Sequence, residues 1–199
     1  MHDLAITQSP STTPARLLRT TARWMVTFIG FPLGGLAASL LVGPVDNLGS
    51  ALLGGLVTGS VLGAVQVWGL GRRRPPAIQW IAATAIGLMV GLAIGAAAVD
   101  YQTSLAALVT QGAIGGIAVG AAQAVVLRPR LGRLALAWPF ALAPIWAAGW
   151  AVSTSIGVQV DQQFIIFGSS GALLVTALTA VLPIVINRHN PTTSMENPS

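Results

Sequence analysis

Six stretches of this chain hold no Asp, Glu, His, Lys or Arg: Trp24 to Val42, Leu48 to Leu70, Gln79 to Val99, Leu105 to Leu127, Leu134 to Val158 and Gln162 to Ile186. Each is long enough to cross a bilayer as a helix, which takes roughly 20 apolar residues for about 30 Å of hydrocarbon. The whole chain is 54% hydrophobic and only 8% charged, against about 25% charged in ordinary soluble domains. The pattern predicts an all-α membrane protein with six transmembrane helices.

Between the spans the sequence supplies breaks. Gly43-Pro44-Val45-Asp46-Asn47 reads as a turn, as do Gly71 to Pro76, Asp100-Tyr101-Gln102 and the Arg128-Pro129-Arg130 run. Pro14 fits the first position of a helix that starts in the headgroup region. Residues 1–13 lack the apolar core and small-residue cleavage site of a secretory signal, so they are expected to stay as a disordered tail. Residues 14–187 form the bundle, and 188–199 a second polar tail.

The arginines fix the expected orientation. All ten cationic side chains are Arg, and they sort onto one side: Arg16, Arg19 and Arg23; Arg72, Arg73 and Arg74; Arg128, Arg130 and Arg133; and Arg188. The opposite loops carry Asp46, Asp100 and Asp161. The positive-inside rule then gives six spans with both termini cytoplasmic. The pI of about 11.6 is a topology signal in such a chain and implies no nucleic acid. The absence of Lys and Cys beside abundant Gly and Ala reads as a high-GC bacterial composition, placing the protein in the bacterial cytoplasmic membrane. Without Cys, disulfide, thiolate and cysteine-ligated metal chemistry is excluded.

The spans repeat. Gly55, Gly59, Gly63 and Gln66 recur as Gly112, Gly116, Gly120 and Gln123, an offset of 57 residues (112 − 55). Thr27, Gly30, Gly34 and Ala38 map by the same step onto Thr84, Gly87, Gly91 and Gly95. Trp24, Trp80 and Trp138 keep nearly this period where the odd helices begin, and Thr179 stands in the third copy where Gln would fall. The reading is three two-helix hairpins, about 14–71, 72–129 and 130–187. Each copy has an even number of spans, so the copies must be related by rotation about the membrane normal, in a pseudo-threefold arrangement. Small residues at i, i+4 and i+8 share one helix face and allow close approach in lipid.

Hairpins with this pattern, at Gly59, Gly63, Gln66, Leu70, Arg72 to Arg74, Trp80 and Gly87 and again at Gly116, Gly120, Gln123, Leu127 and Arg128, resemble uncharacterised small multipass bacterial membrane proteins built from Gly-zipper repeats. The resemblance implies a fold type, and no activity.

No enzymatic constellation is present. Spans free of ionisable groups lack the usual marks of proton relays and intramembrane hydrolysis, and His2 and His189 lie in the tails. No metal or cofactor is expected. The candidate polar bundle-lining residues are Gln66, Gln123, Thr27, Thr84 and Thr179, read chiefly as interhelical hydrogen-bonding groups. The candidate packing residues are the glycines of the two matched faces. Asp46, Asp100 and Asp161 could gather at the outer mouth, although three separate loop caps are favoured. Arg72, Arg73, Arg74, Arg128 and Arg130 are candidate contacts for anionic lipid. Trp residues near helix ends and Tyr101 read as interface anchors, whereas Trp146 and Trp150 would either stack on a flat ligand or face lipid. The expected function is a non-enzymatic membrane-embedded binding or scaffold subunit acting through Gly-rich helix faces. Its partners would be lipids and another membrane protein or a second copy. The alternative is a small permease or substrate-capture component, on the scale of the six-helix vitamin-binding subunits of energy-coupling importers.

Overall fold

A computed structural model describes residues 14–156 and 168–188, the side chain of Arg73 excepted. Helix α1 (Pro14–Met25) passes through a tighter 3₁₀ turn (Val26–Ile29) into α2 (Gly30–Leu41). Pro32 has no N–H for the Phe28 carbonyl, and the turn ahead of it tightens accordingly. Next come α3 (Leu48–Leu70), α4 (Ala77–Ala98), α5 (Leu105–Leu131), α6 (Trp138–Ser155), α7 (Ser169–Thr179) and α8 (Val181–Arg188).

Side-chain caps set the starts of α3 and α5. The Asn47 side chain accepts from the Ser50 N–H at 3.0 Å while Ser50 Oγ accepts from the Asn47 N–H at 3.2 Å, a reciprocal capping box. Ser104 Oγ accepts from the Ala107 N–H at 3.3 Å. α5 runs past Leu127, where the sequence suggested a stop, and takes in Arg128-Pro129-Arg130. Pro129 falls in the last turn, so it removes only a bond to Val125, an exposed residue, before Gly132 ends the helix at φ +55°. At the other end of the chain, α7 and α8 break at Ala180, because Pro183 cannot donate to the Thr179 carbonyl and its ring crowds that oxygen. The expected start of the last span, Gln162, and Asp161 lie outside the described residues, as do both tails apart from Arg188.

Among the described residues, five helical segments are long and apolar enough to cross a membrane: Pro14–Leu41, Leu48–Leu70, Ala77–Ala98, Leu105–Ser155 and Ser169–Arg188. The fourth is no single rod. A Cβ added at Gly112, Gly116 or Gly120 would meet Trp150 Cδ1, Leu142 O and Pro139 Cα respectively, each at 2.5 Å. Rising numbers on α5 therefore face falling numbers on α6, and α6 runs back along α5.

The same rule builds the other neighbours. Gly30 and Gly34 of α2 lie against Leu62 and Thr58 of α3; Gly55, Gly59 and Gly63 of α3 against Leu88, Ala85 and Ile81 of α4; Gly87, Gly91 and Gly95 of α4 against Val119, Gly115 and Gln111 of α5. Each of these helices turns its glycine ridge to the helix that follows it. The added Cβ at Gly59 would stand 2.6 Å from Ala85 Cα, so only hydrogen fits there. α7 packs on α6 through Gly171 against Gly149 and Ser153, and then on the 3₁₀ turn, α1 and α2, while α8 meets α1. The last helices thus return to the first.

Small residues make the closest helix contacts, with larger side chains such as Leu62, Leu88 and Trp80 buried beside them, while many other large apolar side chains face outward. α3 buries Ala51, Gly54, Gly55, Thr58 and Gly59 and exposes Leu53 and Leu56; exposed large apolar side chains occur on all eight helices. In water such a surface would be a liability. In lipid it is the expected outside, since close backbone packing rather than apolar burial holds the helices together.

Candidate functional site

Inside the bundle, at the end of α1 and near the starts of α4 and α6, three buried tryptophans each donate an indole N–H to a polar group on a neighbouring helix. Trp80 Nε1 donates to Gln66 Oε1 at 3.1 Å and Trp138 Nε1 to Gln123 Oε1 at 2.8 Å. Trp24 Nε1 donates to Thr179 Oγ1 at 3.2 Å and to the Thr176 carbonyl at 3.1 Å. An indole can only donate, so each pairing orients its acceptor. With Gln123 Oε1 turned to Trp138, its amide nitrogen is left to donate to Thr84 Oγ1 at 3.0 Å and towards Gln66 Oε1 at 3.5 Å. The Thr84 hydroxyl in turn donates to the Trp80 carbonyl at 2.9 Å, and the Thr27 hydroxyl donates to the Trp24 carbonyl at 2.7 Å.

The Thr179 position works without an amide because of the break at Ala180. The Ala180 N–H bonds to the Ala177 carbonyl, which leaves the Thr176 carbonyl without its helical donor and open to the Trp24 indole. Pro183 thereby supplies, through the backbone, the acceptor that Gln supplies in the other two pairings. Thr179 Oγ1 donates in turn to the Val175 carbonyl at 2.8 Å.

These tryptophans correct the reading of helix-end aromatics as interface anchors: Trp80 is 0% exposed, Trp24 2% and Trp138 9%. Their spacing, in step with the Gln period, was the signal. Trp146 and Trp150 do not face lipid either. Both are buried, packed over Gly112 and Gly115, with Trp146 edge-on to Phe31 at 6.1 Å between ring centroids.

Trp24, Trp80, Trp138, Gln66, Gln123 and Phe31 are among the residues around a cavity of about 20 Å³. That is room for about one water molecule. Amide, hydroxyl and indole groups do not titrate near neutral pH, so the ring can position a polar group and cannot trade protons. Thr58 adds one further interhelical bond, Oγ1 to the Gly34 carbonyl at 3.2 Å.

The two described carboxylates, Asp46 and Asp100, sit in loops. Asp46 Oδ1 accepts from Asn47 Nδ2 at 2.6 Å and Ser50 Oγ at 3.3 Å, ahead of α3. Asp100 follows α4 with φ +52°. Among the described residues no three His, Cys, Asp or Glu side chains come together as metal ligands would. Of the arginines, Arg72, Arg74 and Arg128 are exposed and Arg130 is half-buried. Arg74 Nη1 donates to the Gly71 carbonyl at 3.3 Å.

The architecture is that of an α-helical protein with several membrane-length helices. No protein-family model matches the sequence, and comparison with curated proteins and with solved structures returns no match.

Proposed function

We propose that this chain is a non-enzymatic multipass protein of the bacterial cytoplasmic membrane that acts as a binding or scaffold subunit. Six spans, counting α5 and α6 separately, form three hairpins about a pseudo-threefold axis, with both termini and all the arginines in the cytoplasm. The observation that carries the reading is the cluster of three tryptophan indoles, each hydrogen-bonded to a neighbouring helix, around a cavity with space for about one water. Helices stitched together in this way are suited to holding a shape, and less to moving a solute between them.

The glycine faces serve the chain's own helices, so contact with a partner falls to the arginine-rich end. Purification in mild detergent tests this. A protein partner should be retained in stoichiometric amount at low salt and released as salt rises, as contacts between exposed charges require. A bound small molecule with no protein partner would contradict the scaffold reading and favour substrate capture.

A further inference from the structure

At the arginine-rich end of the bundle, α1, the end of α3 and α8 enclose an open cavity of about 340 Å³. This lies within the size range of small-molecule sites, roughly 300–1,000 Å³. Arg16, Arg19 and Arg23 line it from one face of α1, at the i, i+3, i+7 spacing that stacks side chains. Arg72 lines it from beyond α3, and Thr20 and Asn187 complete its wall. Among the described residues that line it none is acidic.

Arg23 is the informative member. Its guanidinium carbon lies over the Trp68 ring, 4.7 Å from the centroid, and its Nε is buried with no hydrogen-bond partner. A buried donor left unpaired costs free energy and calls for a specific explanation. The negative end of the α3 dipole offsets part of the charge here, but a helix terminus carries only about half an elementary charge, against four guanidinium groups.

We propose that this cavity binds a phosphate group, seated between Arg16, Arg19, Arg23 and Arg72 with the Thr20 hydroxyl as an additional donor. Guanidinium groups match phosphate oxygens in geometry as well as charge. The phosphate is either that of an anionic lipid headgroup, entering from the membrane beside α1, or a soluble phosphate from the aqueous side. This inference deepens the binding reading above and rests on it for the direction the cavity faces. Its test does not depend on the identity of any protein partner.

The purified full-length protein is titrated with phosphatidylglycerol, with phosphatidylcholine and with inorganic phosphate, binding being read by native mass spectrometry for lipid and by calorimetry for phosphate. Three forms are compared: wild type, Arg16→Gln/Arg19→Gln, and Arg133→Glu, which changes the net charge by the same amount at an exposed arginine that does not line the cavity. At about fivefold in affinity per arginine, the double variant should lose roughly 25-fold and Arg133→Glu little. Phosphatidylglycerol binding with this dependence assigns a lipid site. The same dependence for inorganic phosphate assigns a soluble ligand. Equal losses in the two variants, no loss in either, or equal affinity for phosphatidylcholine would overturn the proposal. Arg16 and Arg19 are exposed, so their replacement leaves the fold intact, whereas Arg23→Gln also removes the stack on Trp68 and serves only as a second variant.

Discussion

Trp24 and Thr179 lie 155 positions apart and are joined by a 3.2 Å hydrogen bond from the indole nitrogen to the threonine hydroxyl. This bond ties α1 to α7 and closes the circuit of helices. Trp24→Phe and Thr179→Val should each lower the thermal midpoint in detergent. Side-chain hydrogen bonds between membrane helices average about 0.6 kcal/mol, with a maximum near 1.7, so a double-mutant cycle should give a coupling in that range. The Thr176 carbonyl still accepts in Thr179→Val, which favours the lower end. A coupling of zero would mean that the two residues do not meet.

Gln123 should be the more sensitive polar position. It is 2% exposed and serves both Trp138 and Thr84, so Gln123→Leu strands the Trp138 indole N–H in a buried setting at a cost of about 1–3 kcal/mol. Adding Trp138→Phe should recover part of that loss. If the double variant melts at the sum of the single effects, the hydrogen bond contributes nothing.

The glycine ridges give a steric prediction. At Gly116 any Cβ would stand 2.5 Å from the Leu142 carbonyl oxygen and 3.0 Å from Ala143 Cα, backbone atoms that cannot rotate away. Gly116→Leu should therefore destabilise by about 3 kcal/mol or more, the upper end of overpacking costs. Gly49 is exposed and a Cβ there meets only Asn47 Oδ1, at 3.1 Å, so Gly49→Leu should cost far less. Similar melting of the two variants in detergent would show that the α5 ridge does not touch α6.

Much of this architecture is legible in the sequence, because lipid removes the choices that water leaves open. Apolar length gives the helices, and α3 spans Leu48–Leu70 as the composition suggests. Four-residue glycine spacing gives the contact faces, although not that every ridge would turn to the next helix in the chain. The tryptophans were misread for a physical reason: an indole near a helix end suits both the membrane interface and a buried hydrogen bond, and only the partner's position separates the two. The Thr176 carbonyl could not be read at all, since it becomes an acceptor only through the break that Pro183 causes. The arginine cavity escaped because Arg16, Arg19 and Arg23 are far from Arg72 in sequence and meet only when α1 packs on α3.

Orientation is open to direct labelling, since the chain has no native Cys. Pro76 and Gln102 are both exposed and lie in successive loops. In intact cells an impermeant thiol reagent should label Gln102→Cys and spare Pro76→Cys until the membrane is opened. Labelling of Pro76→Cys in intact cells would reverse the topology.

On the proposed reading the protein works by binding and conducts neither protons nor cations. Reconstituted in liposomes under a proton or cation gradient, wild type and Asp100→Asn should both match protein-free liposomes, because the indole and amide groups around the small cavity include no titratable side chain and leave space for about one water. Proton or cation flux in the wild type that falls in Asp100→Asn would contradict the claim and make the loop carboxylates part of a transport path.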